Sequence, residues 1–334
     1  MKNKNLSLLL LLLLVTNVTT AQTVDGYVVP RTEYGQPDMQ GIWFYGSSTP
    51  YERPVELREK KTYTRAEGLE LERSLVQASQ AKDQAVNPDR APPPKGVSIV
   101  QEADHNFASI RMNPIRIDGL YRTSQIISPA NGRFPFREDG KDFFQNLLDV
   151  GHGAFDGPEI RPAGERCAGP NGAPMAPMIG HFYNANMQIY QTEDYVVILA
   201  EMNHDARIIP INGKPQNNEF TNWMGNSAGH WEGDTLVVET RNFRPEQSWT
   251  FWKMSEQLEV VERFTLVAND EIYYSFTATD PEIFSEPVTF EKNIVRRAPD
   301  EPIFEYACHE GNYSLPGILA GARRQEMDEE QISD

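Results

Sequence analysis

The chain predicts a mainly β protein, an antiparallel meander closing into a barrel, with an N-terminal helical insertion and long Gly/Pro-rich loops. Beyond residue 180, β-branched and aromatic runs such as "MQIYQTEDYVVILAEM", "LEVVERFTLVANDEIYYSFTATD" and "VTFEKNIVRR" alternate with Thr-Glu-Asp, Asn-Gly, Glu-Gly-Asp and Asn-Asp turns. Counting each turn as a hairpin gives about eight strands. A meander of that length leaves exposed edges unless it closes on itself. With 334 residues, 39% of them hydrophobic, the chain is long enough to bury a large core.

The elements follow in order. Lys2 and Lys4 precede an apolar run from Leu6 to Val15, and Thr19-Thr20-Ala21 closes it, the order of a secretory signal peptide. The run is too short to span a bilayer permanently. Residues 1–21 are therefore expected to be removed, leaving a periplasmic or secreted protein. Residues 22–334 read as one β-rich domain. "QGIWFYGSS" is its first strand, and a helical and Pro-rich insertion covers about 51–115. Within the insertion a helix is expected from Thr64 to about Ala85, followed by the extended connector "DRAPPPKG". A strand near Gln125 joins the one near Gly41 in completing the sheet. A short helix is expected over Lys141 to Val150, stopped by Gly151. From Gly151 to Pro177, glycine and proline dictate an ordered loop or a flap. The meander fills 180–313 and ends in a strand, "PIFEYAC".

Charge and motifs exclude several functions. The formal charge of −17 repels phosphate backbones and anionic lipid head groups, so neither nucleic acid nor a membrane surface is an expected partner. Neither G-x-G-x-x-G nor a P-loop is present, so no nucleotide or flavin cofactor is predicted. The partner expected is a small-molecule substrate or ligand, and the oligomeric state is left open. Cys167 and Cys308 are the only cysteines; in an oxidising compartment they are expected to pair, with two buried free thiols as the alternative. The bridge would close a loop of roughly 140 residues, worth about 4 kcal/mol in the chain-entropy model.

The segments "PDMQGIW", "GERCAGPNGAP", "WMGNSAGHWEGDTLVVETRNF" and "FEYACHEGNYSLPGILAGAR" carry a resemblance. They are similar to those of a large family of exported bacterial proteins without an assigned reaction. That likeness implies a shared fold and export, and transfers no catalytic residue. The Gly41-x-Trp43 opening followed by a β meander also resembles lipocalin-like barrels.

Candidate chemistry gathers in three polar clusters. "MNHDAR" places His204, Asp205 and Arg207 beside an apolar strand, "GHWEGD" places His230 and Glu232 around Trp231, and "ACHEGNY" places His309, Glu310, Asn312 and Tyr313 after one. In a barrel with apolar walls these groups would converge on the lumen or its rim. His309, Glu310, His204, Asp205, His230 and Glu232 are the candidate acid/base residues, because a histidine beside a carboxylate is held in a protonation state useful near neutral pH. Arg207, Asn184, Asn186, Trp231, Asn312 and Tyr313 are the candidate substrate-binding residues. Cys308 would hold His309 and Glu310 rigidly over a pocket.

Two other motifs carry less. "GNSAG" satisfies G-x-S-x-G, with Asp270, Asp280 and His309 downstream, but a nucleophile elbow needs a strand before Ser227 and a helix after it, whereas the strand-like "HWEGDTLVVE" follows. No compact metal-ligand spacing exists; a divalent ion held by His204, His230 and His309 with a carboxylate stays open as an alternative.

The expected function is an exported enzyme using His/carboxylate acid-base chemistry on a small, partly apolar or sugar-like molecule, as a lyase, hydratase, isomerase or hydrolase. The alternative is a lipocalin-like carrier of an apolar small molecule. An enzyme brings two or more of His204, His230, His309, Glu232 and Glu310 to one cavity; a carrier keeps them outside an apolar one.

Overall fold

The computed structural model of the protein describes residues 26–82, 89, 113–169, 175–179, 184–213, 220–248 and 252–333. The expected signal peptide and residues 90–96 of the proline-rich connector lie outside these. Among the described residues the strands are β1 (Gly41–Phe44), β2 (Arg116–Ile117), β3 (Leu120–Tyr121), β4 (Ile126–Ser128), β5 (Asn186–Gln191), β6 (Tyr195–Ala200), β7 (Ala206–Pro210), β8 (Asn226–Glu232), β9 (Thr235–Arg241), β10 (Glu259–Ala268), β11 (Glu271–Thr279) and β12 (Val288–Arg296). The helices are α1 (Arg65–Lys82), α2 (Phe143–Asp149) and α3 (Ser314–Ser333).

Nine strands form a nearly closed barrel in the order β7-β6-β5-β1-β12-β11-β10-β9-β8, each pair of neighbours antiparallel, and β4 adds to β12 alongside. An odd ring of alternating strands cannot close antiparallel everywhere, so β7 and β8 must meet as a parallel pair. They do so through one backbone bridge, Ile211 to Gly229, beside which Asn212 N–H donates to the Gly229 carbonyl at 2.7 Å. The Asn212-Gly213 turn is accordingly not a hairpin, as its sequence suggests, but the start of the crossover that a parallel pair requires.

Period-two alternation decides the inward face. β10 turns Val260, Glu262, Phe264 and Leu266 inward, β11 turns Ile272, Tyr274, Phe276 and Ala278, and β12 turns Val288, Phe290, Lys292 and Ile294; all are buried. Trp43 of β1 is fully buried, with the Arg296 guanidinium 4.0 Å from its ring centre. Gly41 makes room for that stack, since a Cβ there would sit 2.5 Å from Arg296 Nη1. The G-x-W opening thus has a packing reason.

Charged residues on the inward face hold the seam. Arg207 of β7 donates from Nε to Ser227 Oγ of β8 at 2.9 Å, from Nη2 to Thr240 Oγ1 of β9 at 2.8 Å, and from Nη1 to Glu262 Oε1 of β10 at 3.2 Å. Its Nη2 also meets Glu262 Oε2, and Tyr274 OH of β11 donates to Oε1 at 2.8 Å. One guanidinium therefore ties four successive staves, β7 to β10, with Tyr274 of β11 joined through Glu262, across a seam that has a single backbone bridge among the described residues.

Both expected helices form, each opened by reciprocal side-chain and backbone bonds: Thr64 with Glu67 at α1, and Asp142 with Gln145 at α2. Two expectations fail. "PIFEYAC" is not a strand, because β12 is already flanked by β1, β4 and β11 and offers no free edge. The C-terminal helix α3 was not anticipated beyond the meander. Cys167 and Cys308 form the expected disulfide, and Asn312 Nδ2 reinforces it by donating to the Glu165 carbonyl at 3.1 Å.

Truncating a buried ion pair on one side strands a charge, at a cost of about 3–5 kcal/mol. Arg207→Met is expected to lose that much in a denaturant titration, and Arg207→Met/Glu262→Leu to regain most of it. A single-mutant loss under about 1 kcal/mol would mean that the seam does not depend on the pair.

Candidate functional site

The predicted residues do not converge. His230 and Glu232 point outward from β8, 41% and 49% exposed, where Glu232 accepts from Arg263 Nη2 at 2.6 Å and lies 3.2 Å from His230 Nε2. Arg263 and then His230 hold the Glu232 carboxyl below its ordinary range. The cause of the misplacement is register: Trp231 pairs with Leu236 and takes the inward phase, which sends its neighbours to solvent. His309 and Glu310 are exposed on the turn after Cys308, anchored by the disulfide, and Tyr313 is 83% exposed. His204 is exposed at the start of β7; Asp205 beside it is half-buried, and burial raises its carboxyl while His204 opposes the shift.

Asn184 and Asn186 take the phase opposite the inward Ala185, Met187 and Ile189, so they do not face the lumen as expected and serve a protein group instead. They donate to Glu201 at 2.8 and 3.1 Å, and Phe304 N–H donates to the same buried carboxylate at 3.2 Å. Arg207 reaches the lumen and is consumed by the seam. Ser227 lies inside β8 with its hydroxyl bonded to Arg207 and 2.9 Å from Thr240, so the G-x-S-x-G run is strand and not an elbow. Asp280 is spent on the Ser255 backbone and hydroxyl, at 2.7 and 2.8 Å. No group of three His, Cys, Asp or Glu suited to a metal occurs among the described residues.

The lumen itself supplies a different centre. Lys292, 2% exposed, sits opposite Tyr274 on the neighbouring strand. Its Nζ donates to the Tyr45 carbonyl at 2.9 Å and the Ile179 carbonyl at 2.6 Å, and lies 5.4 Å from the Tyr45 ring centre. No carboxylate of the described residues is within ion-pair distance of it. Burial alone lowers its amine from 10.5 to about 7. Burial, and then the Glu262 carboxylate, push the Tyr274 hydroxyl well above the phenol range, so it stays a neutral donor.

Residues 175–179 enter this centre without belonging to the sheet. Met175, Ala176 and Met178 are buried among the lumen side chains; Met178 N–H donates to Tyr274 OH at 2.9 Å, one residue before the carbonyl that meets Lys292. They share one buried cluster with Trp43, Tyr45, Met187, Phe264, Phe276 and Phe290.

The sequence carried a signal for Lys292 and Glu262. Each occupies the apolar phase of its strand, Lys292 between Phe290 and Ile294 and Glu262 between Val260 and Phe264. A charge in that phase is buried wherever the strand is.

A second depression, of about 370 Å³, lies between α2 and the 154–162 loop, with Phe144, Leu148, Ile160 and Lys253 in its wall. Its polar groups answer one another: Asp142 accepts from Gln145 N–H, Lys253 donates to Gln145 Oε1 and Arg161 pairs with Glu165. No family model, curated protein or solved structure matches the chain.

A lysine whose folded-state pKa is depressed binds fewer protons than the unfolded chain between about pH 7 and 10.5, so its penalty is full below pH 7 and disappears as pH rises through that window. The stability of the wild type relative to Lys292→Met is therefore expected to rise between pH 7 and 10, by a few kcal/mol at most. A difference that is flat with pH would contradict a desolvated amine.

Proposed function

We propose that the protein is an exported binding barrel for a small, largely apolar molecule, with the lumen around Lys292 and Tyr274 as its site. The observation that carries this reading is the way residues 175–179 occupy the lumen. A thioether side chain fills an aromatic wall, one N–H meets Tyr274 and one carbonyl meets Lys292. That is the outline of a ligand with an apolar body, a carbonyl-like acceptor toward Lys292 and room for a donor toward Tyr274, the usual composition of a small-molecule site. The ligand is proposed to take the place of the Met178 side chain and its flanking peptide groups.

The acid-base enzyme reading has less support. His204, His230 and His309 are carried by different segments and exposed in each; Glu232 serves a surface ion pair, Glu310 faces solvent and Asp205 is half-buried. Export is part of the proposal. The disulfide fits an oxidising compartment, the apolar N-terminal run fits a leader cleaved after Ala21, and no described helix is long and apolar enough to cross a membrane.

Trp43 and Trp252 are both fully buried among the core side chains, so an apolar quencher that enters the lumen must reduce their emission. Saturable one-to-one quenching by an apolar ketone is expected, unchanged within about twofold in His309→Ala and weakened at least tenfold, a loss of about 1.4 kcal/mol, in Lys292→Met. Quenching that does not saturate, or that is lost in His309→Ala and kept in Lys292→Met, would return the site to the "CHE" turn.

A further inference from the structure

We propose that Lys292 is a carbonyl-reactive amine, which condenses reversibly with an aldehyde or ketone group of the lumen ligand to form an imine. The inference rests on the lumen being the binding site and adds a covalent step to it. Three features of the geometry lead there. Lys292 projects from the inward row of β12 into a wall of aromatic and thioether side chains, with no carboxylate of the described residues to hold it as an ion pair. Its two acceptors are backbone carbonyl oxygens, and one of them, Ile179 O at 2.6 Å, belongs to a segment that is not part of the sheet. An amide carbonyl in that place cannot condense, because nitrogen conjugation quenches its carbon; an aldehyde or ketone in the same place can.

A buried lysine without a counter-ion is poised as a nucleophile because desolvation favours the neutral amine, and its lowered basicity supports the geometry here. The step balances without any oxidant or reductant. The Nζ lone pair attacks the carbonyl carbon, the C–N bond forms as the C=O π pair moves to oxygen, and that oxygen takes up a proton as nitrogen releases one. Loss of water from the carbinolamine then gives the C=N bond, so amine plus carbonyl yields imine plus water. Tyr274, opposite Lys292, gives its own proton to Glu262 at 2.8 Å and accepts from Met178 N–H at 2.9 Å, so its oxygen is the acceptor for the carbinolamine hydroxyl when the ligand replaces that peptide group. The groups facing Lys292 from the surrounding elements are Tyr45 from the end of β1, Tyr274 from β11 and the peptide carbonyl of Ile179, and none of them is a carboxylate.

The test uses the mature, disulfide-bonded chain with hexanal and cyanoborohydride at pH 7, followed by peptide mass spectrometry. At that pH about half of an amine with a pKa near 7 is neutral, against less than one part in a thousand for an ordinary lysine. Lys292 is expected to carry the reduced six-carbon adduct at close to one per chain, ahead of the exposed Lys60 and Lys141, and Lys292→Arg to lose it. An adduct on Lys60 or Lys141 with Lys292 unmodified would overturn the proposal. Hexanol, which cannot condense, separates the two levels of the reading by calorimetry on the wild type. Hexanol binding with Lys292 unlabelled would sink the imine and leave the binding barrel standing, whereas neither binding nor labelling would remove both.

Discussion

The parity of the barrel constrains everything else in the molecule. Nine alternating strands leave one seam that must be parallel, and a parallel seam cannot be made by a hairpin. The chain closes it with one backbone bridge and a side chain. Arg207 reaches across β7 and β8 to Thr240 and Glu262, and its planar fork suits a carboxylate that must be met by two parallel N–H groups. Because the pair lies inside, each partner is satisfied by a neighbouring stave: Ser227 and Thr240 for the guanidinium, Tyr274 for the carboxylate. The buried ions are tolerated because each nitrogen of the guanidinium and each oxygen of the carboxylate has a partner.

That closure sets up the second polar feature. Tyr274 ends the seam network on one side and faces Lys292 on the other, so the orientation of its hydroxyl is inherited from Glu262. Lys292 has no such counterpart. A charge left with only two peptide carbonyls in an aromatic interior is a poor way to stabilise a barrel, and a methionine of similar volume would pack there without the desolvation penalty. The contrast between a fully answered ion pair and a half-answered amine, on adjacent faces of one lumen, is what separates structure from function in this reading.

Most of the fold was legible because strand alternation and turn chemistry are local. The eight strands from Asn186 to Arg296, the G-x-W strand and both early helices follow from patterns a few residues wide, and the Cys167–Cys308 bridge from there being two cysteines in the chain. The closing strand was misread at "PIFEYAC" because edge availability is a property of the whole sheet. The site was misread for a related reason. Histidines and acids in "GHWEGD" and "ACHEGNY" draw attention as residue types, yet their direction depends on which phase of the strand is inward, and Trp231 settles that phase for β8. Lys292 and Glu262 look ordinary in composition and stand out only when placed in the apolar phase of "VTFEKNIV" and "VVERF". Asn184 and Asn186 alternate with apolar neighbours, yet it is those neighbours that face the core, and nothing local shows that the amides' partner is Glu201.

The most direct measurement is the titration of the Lys292 amine itself, by carbon-detected NMR of the lysine Cε and Cδ resonances assigned through Lys292→Arg. The account predicts a midpoint near 7 in the folded protein, moving to the ordinary lysine range on unfolding. A folded-state midpoint near 10.5 would mean that the amine is solvated or paired, and the lumen would then lose its claim to be the site.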